Sequence, residues 1–247
     1  MNEGQSAVPN LLGMARTAIE ARNDEEAISY FNRVLEIDPT VSEAWLGKGR
    51  SVARLSSLKH IRLHETAVAF GHAIGTAPEN VRSSMAETAI SELVMFATEL
   101  HKANRLHWAK FVEVDGTSAH CVRNAFTILD VLDAGLRWCP HFGPALQLIM
   151  MVSGSALAYG VSDDQAAALE RRCDEARAKL RATDPSFAAA EAAATVEAER
   201  QAAASAEAAT RQIAETQAAA ERARRVTLKH WALLIIFVVG LAILARF

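Results

Sequence analysis

The chain has 247 residues, enough for one or two domains with a real core, and its many alanines and few aromatics favour helix. A formal net charge of −3 excludes the strongly basic balance of a general nucleic-acid binder. The cysteines Cys121, Cys139 and Cys173 are odd in number, far apart and free of any Cys-x-x-Cys pair, which excludes a disulfide framework and a zinc ribbon and fits a reducing compartment.

Residues 1–9 form a polar tail without the charged-then-apolar pattern of a signal peptide, so no export of the body is expected. Asn10 is placed to cap a first helix over residues 11–21. Asn23 and Asp24 break it and cap a second over residues 25–37, which stops before Asp38-Pro39. The pattern then begins again. Ser42 caps a third helix over residues 43–55, carrying Trp45 in its first turn. After a longer turn over residues 56–61, a fourth helix over residues 64–76 ends before Ala77-Pro78. Pro39 and Pro78 lie 39 residues apart. Each unit is a helical hairpin that cannot bury its apolar face alone.

The first unit reads Leu11-x-x-Met14-Ala15-x-x-Ala18, then Ala27-x-x-x-Phe31, then Pro39. The second reads Trp45-x-x-Lys48-Gly49-x-x-Val52, then Thr66-x-x-x-Phe70, then Pro78. These residues resemble the tetratricopeptide repeat, whose signature is a large and a small apolar residue on one helix, then Ala-x-x-x-Phe and a closing proline. The match is looser in the second unit, where Lys48 and Thr66 replace an apolar residue and an alanine. The resemblance covers roughly a third of the chain, residues 10–80. It implies close helix approach at Ala15 and Gly49, with Phe31 and Phe70 filling the gaps between hairpins.

Residues 81–185 carry helical periodicity without a clear signature. Helices are expected over residues 84–104, from Thr117 or Ser118 to Trp138, over 145–159, and from Ser162 or Asp163 to Ala182. An irregular piece over residues 106–114 separates the first two. This region continues the solenoid as degenerate hairpins, or it is a separate helical bundle. Residues 146–157 are very apolar, but Gln147, Ser153, Gly154 and Ser155 interrupt them, so a buried core helix is expected rather than a membrane span.

Residues 186–227 change character. Alanine dominates, with Glu, Gln and Arg between and no leucine heptad, so a single-helix spacer is favoured over a coiled coil. Glu207 with Arg211 and Glu221 with Arg225 form favourable pairs four apart. From Trp231 to Ala245 no charge interrupts the run. It is shorter than the roughly 30 Å hydrocarbon core, and it spans if Leu228, Lys229 and His230 form its first turn. Residues 228–247 are therefore expected to be a C-terminal transmembrane anchor, with Trp231, Leu234, Phe237, Leu241 and Leu244 facing lipid. Arg222, Arg224, Arg225 and Lys229 precede the run and Arg246 follows it, which puts the body on the cytosolic side.

Catalytic and metal patterns are weak. His60 and His64 are four apart, but no Glu sits between them as in a metalloprotease, and His60 falls in a turn. Adjacent His120 and Cys121 point in different directions on a helix. No Gly-rich phosphate loop or serine elbow is present. No enzyme, metal or cofactor is expected. The repeat resemblance implies a groove lined by the first helix of each hairpin and holding a peptide. Repeat matching puts Arg16, Glu20, Arg50 and Arg54 on that face, while Trp45 and Gly49 turn into the core. Three guanidiniums there could grip an acidic segment or chain end; the alternative is arginines that merely pair with nearby acids. Leu12 and Arg16 stand where the family's carboxylate-binding version carries lysine and asparagine, so its particular chaperone partner is not expected. The whole reads as an all-α chain of TPR-like hairpins, a long Ala-rich helix and a membrane anchor. Its expected role is an adaptor that recruits a protein partner to a membrane, or else a permanent subunit of a membrane complex.

Overall fold

The computed structural model describes the backbone of residues 3–244 and the side chains of residues 7–220 except 218. It divides into two compact units, Met1–Phe187 and Ala188–Phe247. All the regular structure described is helical: α1 (Glu3–Glu20), α2 (Asp24–Ile37), α3 (Ser42–Arg54), α4 (Leu63–Thr76), α5 (Glu79–Phe111), α6 (Thr117–Leu136), α7 (Gly143–Leu157), α8 (Asp163–Thr183) and α9 (Pro185–Leu244).

Local chemistry fixes most boundaries. Asn23 accepts from the Glu26 N–H at the start of α2, whose first turn holds Asp24, Glu25 and Glu26 against the positive end of the helix dipole. Ser162 and Gln165 form a reciprocal capping box on α8. Asp184 ends α8 and starts α9, its Oδ1 accepting from the backbone N–H groups of Ser186 and Phe187. Gly116 and Gly160 turn the chain with φ of 82° and 81°.

Four boundaries differ from the sequence reading. Asn10 does not cap α1. The helix begins at Glu3 and carries Pro9 inside, which forgoes one backbone bond. Ser42 is the first residue of α3, behind Val41, and makes no cap bond. Neither Thr117 nor Ser118 caps α6; left-handed Gly116 does so with backbone alone, and Thr117 is buried. Residues 106–110 are not irregular, because α5 runs unbroken to Phe111. No proline or glycine interrupts it before Gly116, and the Trp108 ring lies 5.2 Å from that of Tyr159, just past α7.

Within Met1–Phe187, consecutive helices pack antiparallel as hairpins, and helices two apart also touch: α3 with α5, α5 with α7, α4 with α6. The body is thus two layers, α1-α3-α5-α7 and α2-α4-α6-α8. Arg172 of α8 pairs with Asp130 of α6 at 2.6 Å along the second layer.

The buried side chains fall into two clusters. One joins Leu11, Ala15, Ala27, Phe31, Val34 and Ala44, so it belongs to α1, α2 and the first turn of α3. The other runs from Leu46 on α3 through Phe70, Leu93 and Leu129 to Leu180 on α8. The apolar residues 146–157 lie in α7, which buries Leu146, Leu148, Ile149, Val152 and Ala156 in this cluster and leaves Met151 exposed. Two glycines of α3 set the spacing. A Cβ on Gly47 would lie 2.2 Å from Cζ of Phe31, and one on Gly49 would lie 2.6 Å from Cδ1 of Phe70. The two phenylalanines of the repeat pattern are therefore housed by glycines on the helix between them. Trp45 is only partly buried; its Nε1 donates to the Pro39 carbonyl at 2.9 Å and its ring stacks on His72.

The second unit is the continuation of α9. Its described side chains are almost all exposed, and Arg211 pairs with Glu207 at 3.7 Å. Glu221 and the expected anchor residues Trp231, Leu234, Phe237, Leu241 and Leu244 lie outside the described side chains. Among the described residues no helix is long and apolar enough to cross a membrane.

Candidate partner-binding surface

The outer side of the α1-α3-α5-α7 layer carries the arginines singled out by the repeat pattern. Each is tied to an acid on another helix. Arg16 on α1 donates to Glu43 on α3 through Nη2, at 2.6 Å, with both side chains more than half exposed. Arg54 reaches back to Asp24 at the start of α2, Nε to Oδ1 2.9 Å. Arg50 grips Glu92 on α5 with both Nε, at 2.7 Å, and Nη2. Both side chains of that bidentate pair are partly buried, and the hydrogen-bonded carboxylate holds the guanidinium pKa above its ordinary value. Glu20 is exposed one turn beyond Arg16. The arginines therefore act as clamps between helices, and an acidic ligand would have to displace Asp24, Glu43 or Glu92 to reach them. Lys48, at the looser repeat position, lies 5.2 Å over the Trp45 ring.

A cleft opens further along the same layer, between the last turns of α5 and the end of α7. Lys102, Arg105, Leu106, Trp108 and Ala109 line it on one side, and Ser155, Ala158 and Tyr159 on the other; its volume is about 530 Å³. Leu106 is 72% exposed, an unusual position for a leucine. Lys102 is held only by an exposed pair with Glu99, and Arg105 makes no hydrogen bond or ion pair among the described residues.

Buried polar groups hold this end of the body together. Asn104 donates to the Cys121 carbonyl at 2.9 Å. Asn124 donates to Asn104 Oδ1 at 3.1 Å and to the Leu58 carbonyl at 3.3 Å, which pins the long turn between α3 and α4 onto α6. His101 is buried with both ring nitrogens unpartnered, and the Tyr159 hydroxyl is likewise unpartnered. Burial, with Arg105 adding repulsion, pushes the His101 pKa down to about 4. Burial pushes the Cys121 thiol up, and Cys121 meets Asn104 while His120 lies 3.2 Å from Asn124, so the two neighbours meet different asparagines of this network. His60 lies in the turn bridged to Ser57, and His64 is exposed in the first turn of α4. Among the described residues no group of three His, Cys, Asp or Glu side chains could hold a metal ion.

Sequence reasoning missed the cleft because it read residues 106–114 as a break. The available signal was the unbroken run of helix-compatible residues to Gly116, with Leu106 out of step with the apolar face of Leu93, Ala97 and Leu100.

No protein-family model and no curated protein matches the chain. Three solved structures overlap it loosely. A crystal structure of MamA protein is 12% identical, covers 73% of this chain and 97% of its own, and gives a TM-score of 0.31. Residues 41 to the end of MamA from Desulfovibrio magneticus RS-1 give 9%, 74%, 99% and 0.29 respectively. A double mutant of MamA from RS-1 gives 8%, 75%, 99% and 0.29. Overlaps this small say nothing about what the chain binds.

Proposed function

We propose that the chain is a membrane-tethered adaptor whose TPR-like hairpin body holds a protein partner at the cytosolic face, without catalysis and without a cofactor. The observation that carries this reading is the layered body: α1, α3, α5 and α7 line one side, where charged and apolar side chains stand open along several helices. Stacked hairpins offer extended surfaces of this kind, and recognition of a protein segment is the chemistry they suit. The tether rests on the uncharged run from Trp231 to Ala245 and the Arg222, Arg224, Arg225 and Lys229 that precede it. The anchor would sit at the end of a helix whose described side chains are mostly polar or small.

The test of the tether is extraction. The full chain should stay in the membrane pellet after alkaline wash, and deletion of residues 231–247 should release it. Protease resistance of the body in sealed, cytosol-outward vesicles would overturn the orientation. A second reading, a permanent subunit of a membrane complex, draws on the exposed apolar residues Met95, Leu106, Val114 and Met151. Co-purification separates the two. A partner lost as salt rises supports recruitment, and a partner that resists salt supports the obligate subunit.

A further inference from the structure

We infer that the groove between α5 and α7 is where the partner docks, and that it takes an amphipathic helix bearing carboxylates beside large apolar side chains. This rests on the adaptor reading and names its site. On α5 the residues Met95, Glu99, Lys102, Leu106 and Ala109 recur at spacings of three and four, so they share one face. On α7 the same holds for Met151 and Ser155, with Ala158 just beyond. Met95 is 52% exposed, Met151 54% and Leu106 72%. Large apolar side chains lined up this openly along two neighbouring helices mark an interaction surface, and methionines adapt to the shape of what lies on them.

Charge decides what the surface fits. The cleft at its far end combines apolar walls with the basic side chains of Lys102 and Arg105. These differ from Arg16, Arg50 and Arg54, each of which is already bonded to an acid on another helix. Among the described residues Arg105 has no such acid, and the exposed Glu99–Lys102 pair is weak and exchangeable. A partner carboxylate therefore finds its cations here without breaking a clamp between helices.

Length decides the form of the occupant. Met95 and Leu106 lie about 16 Å apart along α5 at 1.5 Å per residue, a span of about three turns for a partner helix. A helix laid in the groove would place apolar residues on both, with acidic residues between them facing Lys102 and Arg105. A small amphiphile such as a fatty acid would fill the cleft and leave Met95 uncovered.

The experiment uses the full chain in nanodiscs, panned against a displayed library of random 16-residue peptides, with sodium decanoate as a separate probe. The expected consensus has Leu, Met or Phe at helical spacing with Asp or Glu within two positions. Its binding should fall at least tenfold in Arg105→Glu and in Ala109→Trp, which fills the cleft, and stay unchanged in Arg33→Glu on α2. Thermal melting checks the fold, and Arg105→Glu, at an exposed side chain, keeps the test alive if Ala109→Trp melts early. A basic or uncharged consensus, no consensus, or equal binding by the variants would overturn the inference. So would decanoate binding with this variant dependence while peptides do not bind. If a membrane partner crosslinks equally well to wild type and to both cleft variants, the adaptor stands and this site falls. If no partner crosslinks to wild type, the adaptor falls, and the peptide consensus judges the groove by itself.

Discussion

Gly47→Ala should destabilise the body even though alanine is the better helix former. In an open helical position the exchange gains about 1 kcal/mol. Gly13 on α1 is such a position, with nothing within 4 Å of its added Cβ. At Gly47 the Cβ would stand 2.2–2.7 Å from three atoms of the Phe31 ring. That is about 0.8–1.8 Å inside the ordinary carbon–carbon contact of about 3.5–4.0 Å. Phe31 is 3% exposed and sits between the first hairpin and α3, so relief means parting the two. Overpacking of this kind costs about 1–3 kcal/mol and more where the neighbour is held, so the net loss should be about 2 kcal/mol. For a body of this size that lowers Tm by about 4–8 °C. The first hairpin has its own buried cluster, so hydrogen exchange should quicken in α1 and α2 before α5–α8. The assay is thermal melting of Gly13→Ala, Gly47→Ala and Gly47→Ala with Phe31→Leu, the last recovering part of the loss. A Gly47→Ala protein that melts at or above wild type would refute the reasoning.

Arg50→Glu sets two carboxylates against each other across α3 and α5, so it should cost roughly 1–2 kcal/mol by denaturant titration, and adding Glu92→Arg should restore much of it. His101 has its pKa lowered to about 4 from an unfolded value of 6.5, so its contribution is whole above pH 6.5 and disappears as pH falls towards 4. That amounts to about 3 kcal/mol, and His101→Leu should flatten the stability profile over this window; an unchanged profile would contradict the assignment. A peptide of residues 188–225 should be substantially helical and monomeric by sedimentation, and helicity that climbs with concentration would instead indicate a coiled coil.

Helix identity was legible wherever one residue does the local work: Asn23 before α2, Ser162 before α8, and the prolines after α2, α4 and α8. It failed where the deciding partner is remote. The α5 helix outlasts its expected end because Trp108 and Asn104 find remote partners, Tyr159 just past α7 and Cys121 on α6. The small residues of α3 were read through the repeat pattern, which points to Gly49; Gly47, which the pattern leaves out, takes Phe31. The repeat resemblance puts Arg16, Arg50 and Arg54 on one face of α1 and α3. Their acids lie 27, 30 and 42 residues away, and no periodicity shows such a pairing. The groove along α5 and α7 needs two helices to be brought together before it exists at all.

The contrast between the packed body and the mostly exposed side chains of residues 188–217 bears on how the protein's unfolding is to be watched. This Ala-rich stretch is held by alanine propensity and local ion pairs such as Glu207–Arg211, so it frays gradually with temperature and has no sharp transition of its own. As part of the 60-residue α9, it adds a large far-ultraviolet dichroism signal that will slope through any melt and blur the midpoint. Trp45, Trp108 and Trp138 all belong to the hairpin body and pack partly buried against its larger core. Their near-ultraviolet bands and emission therefore report the cooperative loss of that core, and it is these signals that should be followed when variants are ranked.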